Sequence, residues 1–204
     1  GVAMVLFELV DKGFLPNFVG ASVLGKLPVA GRVLRTFGYR PASPKEIQSC
    51  LAKPYPRNIT IVLPGGIQEM FCIRKDIELS AADAHSGFAK IAKESGAMLV
   101  PGYLYGNSQL YEVADGSVAR WFERLSRKFK VSLNLFHGRW GTLVPYPHRL
   151  GCALGEAIDA SQHDTGEEVH RLWLEGLRSA YEAHRADFGW ADRPLYFTGD
   201  ALPP

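Results

Sequence analysis

The chain has 204 residues, 47% of them hydrophobic and 22% charged, with a formal net charge of +2. That balance supports a sizeable apolar core and excludes a disordered or collagen-like chain. Without a dense basic run it gives no reason to expect nucleic acid as a partner. The three cysteines, Cys50, Cys72 and Cys152, are odd in number and widely spaced. They suggest neither a disulfide framework nor a zinc knuckle, and they fit a reducing compartment or a cytosol-facing surface.

Residues 2–10, VAMVLFELV, form the most apolar window near the start, but they include Glu8. The window is far shorter than the roughly 20 residues that span a bilayer, so no transmembrane helix is expected. A basic n-region and a small-residue cleavage site are both missing, so no signal peptide is expected either. A chain that opens directly in an apolar run, with no initiating Met, reads as a fragment whose natural beginning lies upstream. No repeat or linker divides it, and residues 1–204 read as one N-terminally truncated domain.

Residues 29–37 place Val29, Val33, Leu34 and Phe37 at helical spacing between Pro28 and Gly38, predicting a short helix. Ser43-Pro44 reads as an N-cap and an N1 proline, opening a second helix that runs to about Leu51. Residues 59–63, rich in β-branched side chains and bounded by turn residues, predict a buried strand. A helix over 86–95 follows, with Phe88, Ile91 and Ala92 on one face and Gly96 as its C-cap. Residues 97–105 then predict another strand. Strand, helix and strand with a crossover-length connection argue for a parallel βαβ unit, and hence an α/β fold.

Residues 118–129 set Trp121, Phe122, Leu125 and Phe129 against Arg120, Arg124, Arg127 and Lys128, predicting a basic amphipathic helix. Such a face is either solvated or suited to an anionic membrane surface. A short apolar piece over 131–136, a glycine-rich HGRWG and a strand over 151–154 come next. The last long element runs from about Thr165 to Asp187. Val169, Leu172, Trp173, Leu177, Ala180 and Tyr181 make its apolar stripe.

Several chemistries lack their spacing. No G-x-S-x-G, no G-x-x-x-x-G-K-[ST] and no H-E-x-x-H occurs, and no histidine has a partner at metal-ligand spacing, so no metal is expected. LPGGIQEM, residues 63–70, stops the 59–63 strand with Pro64, Gly65 and Gly66 and then presents Glu69. Glycines at the carboxyl edge of a parallel strand let a substrate approach backbone amides, making an oxyanion or phosphate seat, with Glu69 placed to bind a hydroxyl or orient a base. The same residues also suit a tight turn followed by a solvated glutamate. HGRWG sets His137, Gly138, Arg139 and Trp140 together, where Arg139 can clamp a phosphate or carboxylate. The plainer reading is a loop in which Trp140 caps the core and Arg139 is exposed.

Taken in order, these motifs resemble the diacylglycerol acyltransferase type 2 family, which includes monoacylglycerol acyltransferases and wax synthases and is related to phytyl ester synthases. LPGGIQEMF is similar to the family's V-G-G-x-x-E block, and SGFAKIAKESGAMLVPGYLYGN to its G-F…G-A-x-L-V-P block. LFHGRWGTLVPYPHRL is similar to the F-x-G-R-G…P-Y block, and GCALGEAID to the strand that follows it. The tail, VHRLWLEGLRSAYEAHRADFGW, resembles the family's closing amphipathic helix.

The resemblance implies an α/β glycerolipid-acyltransferase-like fold, with a central, mostly parallel sheet flanked by helices and a long C-terminal amphipathic helix. It implies an acyl-CoA-dependent O-acyltransferase acting on diacylglycerol or a related lipid alcohol, with acyl-CoA as co-substrate and no further cofactor; the alternatives are a phytyl-ester or wax-ester-type acyltransferase and a non-catalytic lipid-surface binding module. The general-base histidine of H-P-H-G is then expected upstream of Gly1, with Glu69 in a supporting role. Gly65, Gly66, His137, Gly138 and Arg139 are the expected substrate-binding residues. The resemblance also implies a membrane surface as a partner of the parent protein, at the endoplasmic reticulum or a lipid droplet with a plastid as the alternative, and allows a homodimer. Pro64, His85-Ser86 and Asn107 depart from the usual pattern, and Pro64 is closer to the phytyl ester synthases.

Overall fold

A computed structural model describes residues 2–20, 30–36, 38–65, 77–113, 136–142 and 144–201. In chain order the helices are α1 (Val2–Asp11), α2 (Ala30–Thr36), α3 (Pro44–Leu51), α4 (Gly87–Glu94) and α5 (Gly166–His184). The strands are β1 (Asn17–Gly20), β2 (Tyr39–Pro41), β3 (Thr60–Val62), β4 (Glu78–Ser80), β5 (Met98–Leu99), β6 (Gly102–Tyr105), β7 (Glu112–Val113), β8 (Phe136–His137), β9 (Gly151–Leu154), β10 (Ile158–Asp159) and β11 (Leu195–Phe197). The chain divides into two compact units, residues 104–151 and a larger one built from 2–103 and 152–204.

In the larger unit β1 lies between β2 and β3, both parallel to it, with Phe18 opposite Tyr39 on one side and Ile61 on the other. The buried Asn17 holds this register. Its amide donates to the Arg57 and Ile59 carbonyls at 2.7 and 3.1 Å, and its oxygen accepts from Lys53 Nζ at 2.7 Å. The parallel βαβ unit expected between residues 59–63 and 97–105 is therefore formed elsewhere: β1, α2 and β2 make it, and β3 joins β1. The 97–105 strand breaks at Pro101, which has no N–H to give a ladder and whose carbonyl accepts from Gly155 N at 2.9 Å. Its first half, β5, pairs antiparallel with β10, while β4 pairs in parallel with β11.

Helix positions follow local chemistry. Ser43 Oγ accepts from Glu46 N at 3.3 Å and starts α3 with Pro44 at its first position. Thr165 Oγ1 accepts from Glu168 N at 3.1 Å, and the Glu168 carboxylate returns to Asp164 N. The α5 stripe is buried at Val169, Trp173, Leu177, Ala180 and Tyr181, with Leu172 half-buried. Burial of each large apolar side chain contributes about 1.5–3 kcal/mol. α4 meets this stripe through Ala89 and Ala92, with Phe88 edge-on to Trp173 at 4.9 Å. Small residues permit the close approach: a Cβ on Gly166 would come within 2.9 Å of Lys90 Cα.

The smaller unit holds a short antiparallel pair, β7 with β8, in which Glu112 stands opposite His137. Tyr146 N donates to the Leu110 carbonyl at 2.9 Å and draws the following extended segment alongside. The basic helix expected over 118–129 lies outside the described residues, as does all of the 131–136 piece except Phe136.

Candidate functional site

Two pieces carry the candidate chemistry, one in each unit. In the larger unit β3 runs into Leu63-Pro64-Gly65, and Gly65 is buried directly after the strand, as the stopped strand in the sequence suggests. Gly66 and Glu69 lie outside the described residues.

In the smaller unit His137, Gly138 and Arg139 are consecutive at the end of β8 and enter a turn closed on itself. Gly138 N donates to the Thr142 carbonyl at 2.7 Å and Arg139 N to the Val144 carbonyl at 2.8 Å. Thr142 N and Oγ1 both donate to the Arg139 carbonyl, at 3.1 and 2.9 Å, and Thr142 Oγ1 accepts from Val144 N at 3.1 Å. Gly138 is buried, and a Cβ on it would overlap the Val144 carbonyl, so only glycine fits.

This geometry decides which groups can meet a ligand. The Gly138 and Arg139 amides are consumed inside the turn and do not form an anion seat. The half-buried His137 imidazole and the exposed Arg139 guanidinium remain as the polar groups on offer. The guanidinium lies 4.4 Å from the Trp140 ring centroid, a cation–π arrangement. Trp140 does not cap the core: it is 77% exposed, because its backbone takes φ 57° and ψ 25° at the tip of the turn. The expectation of an exposed Arg139 holds, and that of a core-capping indole does not.

A buried ionic cluster in the larger unit has no counterpart among the expected residues. Glu78 accepts from Arg193 Nη2 and from the Tyr103 hydroxyl, each at 2.7 Å, and Arg193 also stacks over Trp190 at 4.9 Å. Tyr103 lies within the quoted GYLYGN motif, but nothing local marks Glu78 or Arg193, which are far apart in sequence. Among the described residues no group of three or more His, Cys, Asp or Glu side chains can hold a metal ion. No described helix is long and apolar enough to cross a membrane.

The fold is that of a glycerolipid-acyltransferase-like α/β protein. It superposes on the 1-acyl-sn-glycerophosphate (LPA) acyltransferase PlsC from Thermotoga maritima with a TM-score of 0.51 at 14% identity, covering 83% of this chain and 57% of that one. A family model described as Diacylglycerol acyltransferase matches residues 13–197, and the chain belongs to that family. It is 27% identical over 182 residues to Diacylglycerol O-acyltransferase 2-like protein 6 of Mus musculus, covering 80% of this chain and 54% of that protein. It is 29% identical over 180 residues to Diacylglycerol O-acyltransferase 2 of Homo sapiens, covering 80% of this chain and 46% of that protein. The chain thus spans about half the length of these relatives.

Proposed function

We propose that the chain carries part of the acyl-transfer site of a glycerolipid O-acyltransferase, which moves a fatty acyl group from acyl-CoA to the hydroxyl of diacylglycerol or a related lipid alcohol. The observation that carries this reading is the family match over residues 13–197. A histidine of an H-P-H-G motif preceding Gly1 removes the proton of the acceptor hydroxyl. The alkoxide attacks the thioester carbonyl, the C–S bond breaks, and the CoA thiolate leaves and recovers the proton from the imidazolium.

Each unit, taken by itself, carries residues for that reaction. Amides at Gly65 and Gly66 serve the acceptor or oxyanion side, and the Glu69 carboxylate accepts from the acceptor hydroxyl or orients the base. The His137 and Arg139 side chains serve CoA phosphate or the acyl carbonyl, with Gly138 holding the turn closed behind them. The parent protein works at a cytosol-facing membrane or lipid-droplet surface, where acceptor and product reside.

The test is an acyltransferase assay on the full-length parent. Glu69→Ala is expected to lower kcat about a hundredfold, the scale of losing a group that assists proton transfer. Arg139→Ala is expected to lower kcat/KM for the acyl donor about tenfold to a hundredfold. Unchanged activity in both variants removes these residues from the site, and a triplet other than HPH immediately before Gly1 removes the proposed base. Pro64 ahead of the two glycines favours one further reading, a phytyl-ester or wax-ester synthase. Competition between diacylglycerol, phytol and a long-chain alcohol as acceptors separates the two.

A further inference from the structure

The turn over residues 138–144 presents a side chain that ordinary folding would hide. Trp140 is the one non-glycine residue with positive φ among those described, a conformation that costs on the order of 1–3 kcal/mol. The turn's internal hydrogen bonds hold it there, and the result is an indole in water rather than in the core. Around it Arg139, Gly141, Thr142, Val144 and Pro145 are exposed as well.

The stretch itself is basic, although Glu112 stands opposite His137 on the paired strand. Residues 136–155 include Arg139 and Arg149 and contain no aspartate or glutamate. At the tip an indole, a guanidinium stacked on it and the apolar Val144 therefore meet solvent with no carboxylate from the same stretch. Tryptophan settles at the headgroup level of a bilayer, where its apolar ring and N–H are both accommodated, and arginine there meets lipid phosphate. We infer that the Arg139–Trp140 turn is an interfacial anchor, which inserts its indole into a lipid surface bearing anionic phosphate. This goes beyond the acyl-transfer reading, because it holds whether or not the chain is catalytic.

The experiment uses the 204-residue chain and vesicles of phosphatidylcholine with about 30% phosphatidylserine, with partition measured by sedimentation. Trp140→Ala is expected to lower the partition coefficient at least fivefold. Arg139→Gln is expected to lower it about fivefold, the effect of one basic residue near an anionic surface. Trp140→Phe keeps an aromatic ring and is expected to stay within about twofold of the parent chain. In vesicles carrying brominated acyl chains, tryptophan emission is quenched in the parent chain, and the quenched component disappears in Trp140→Phe.

The proposal is overturned if the parent chain does not bind vesicles, if Trp140→Ala binds as the parent does, or if Trp140→Phe keeps the quenched component.

Discussion

Arg193 Nη2 and Glu78 Oε1 meet at 2.7 Å, with only 14% and 8% of the two side chains exposed. The pair joins the segment entering β11 to β4 across more than a hundred residues of sequence. Its second carboxylate oxygen is taken by the Tyr103 hydroxyl just inside β6. The cluster therefore fastens the last strand to the strand that carries the GYLYGN motif.

Removing the arginine leaves a buried carboxylate without its cation. Arg193→Met is expected to cost about 3–5 kcal/mol, and the double variant Glu78→Leu/Arg193→Met less than that single change, because no charge is then stranded. Urea unfolding of the two variants measures both values. A loss below about 1 kcal/mol in Arg193→Met would show that the pair contributes little.

Gly138 and Gly141 are both required by the turn, for different reasons. At Gly138 an added Cβ meets the Val144 carbonyl, so the turn must open. Gly138→Ala is expected to cost about 1–3 kcal/mol, as overpacking does. At Gly141 there is open space, and the objection is its φ of +70°, worth about 1 kcal/mol. Thermal unfolding should rank Gly138→Ala below Gly141→Ala.

Asp83 gives the protein an acid-sensitive contact. Burial pulls its carboxyl pKa up. Hydrogen bonds from the Thr198 hydroxyl and from the Gly199 and Thr198 amides outweigh that and hold it below the ordinary aspartate value. A depressed folded-state pKa contributes stability that is present above the unfolded value and is lost as pH falls through the folded one. Between about pH 6 and about pH 2.5, a range that crosses the ordinary aspartate pKa of about 3.9, the unsubstituted chain should lose more stability than Asp83→Asn. Equal losses would show that the contact is not linked to protonation. The carboxylate is only half-buried, so screening keeps the effect small.

Ser43 and Thr165 each satisfy an otherwise free amide in the first turn of their helices. Replacing either with alanine is expected to cost about 1 kcal/mol. Replacing either with asparagine or aspartate should restore most of it. Chemical denaturation of these variants measures the difference.

Helices and turns were legible in the sequence because their determinants lie within a few residues of one another. Ser43-Pro44 opens α3, the apolar stripe from Val169 to Tyr181 faces the core, and Gly96 at φ +59° follows α4. The order of the LPGG, GFAK, HGRWG and GCAL segments was enough to point to the acyltransferase family, since linear order is itself a sequence property. Pairing was decided elsewhere. β3 joins β1 because Asn17 binds the segment leading into β3, and β5 turns to β10 because Pro101 breaks the ladder, so both outcomes depend on which strands meet in space. Trp140 could equally have been buried by its composition; the closed hydrogen bonding of its turn, which forces a positive φ at the tip, turns the indole outward. Glu78 and Arg193 carry no local signal at all, because their meaning comes from a 2.7 Å contact that exists only once β4 and β11 lie side by side.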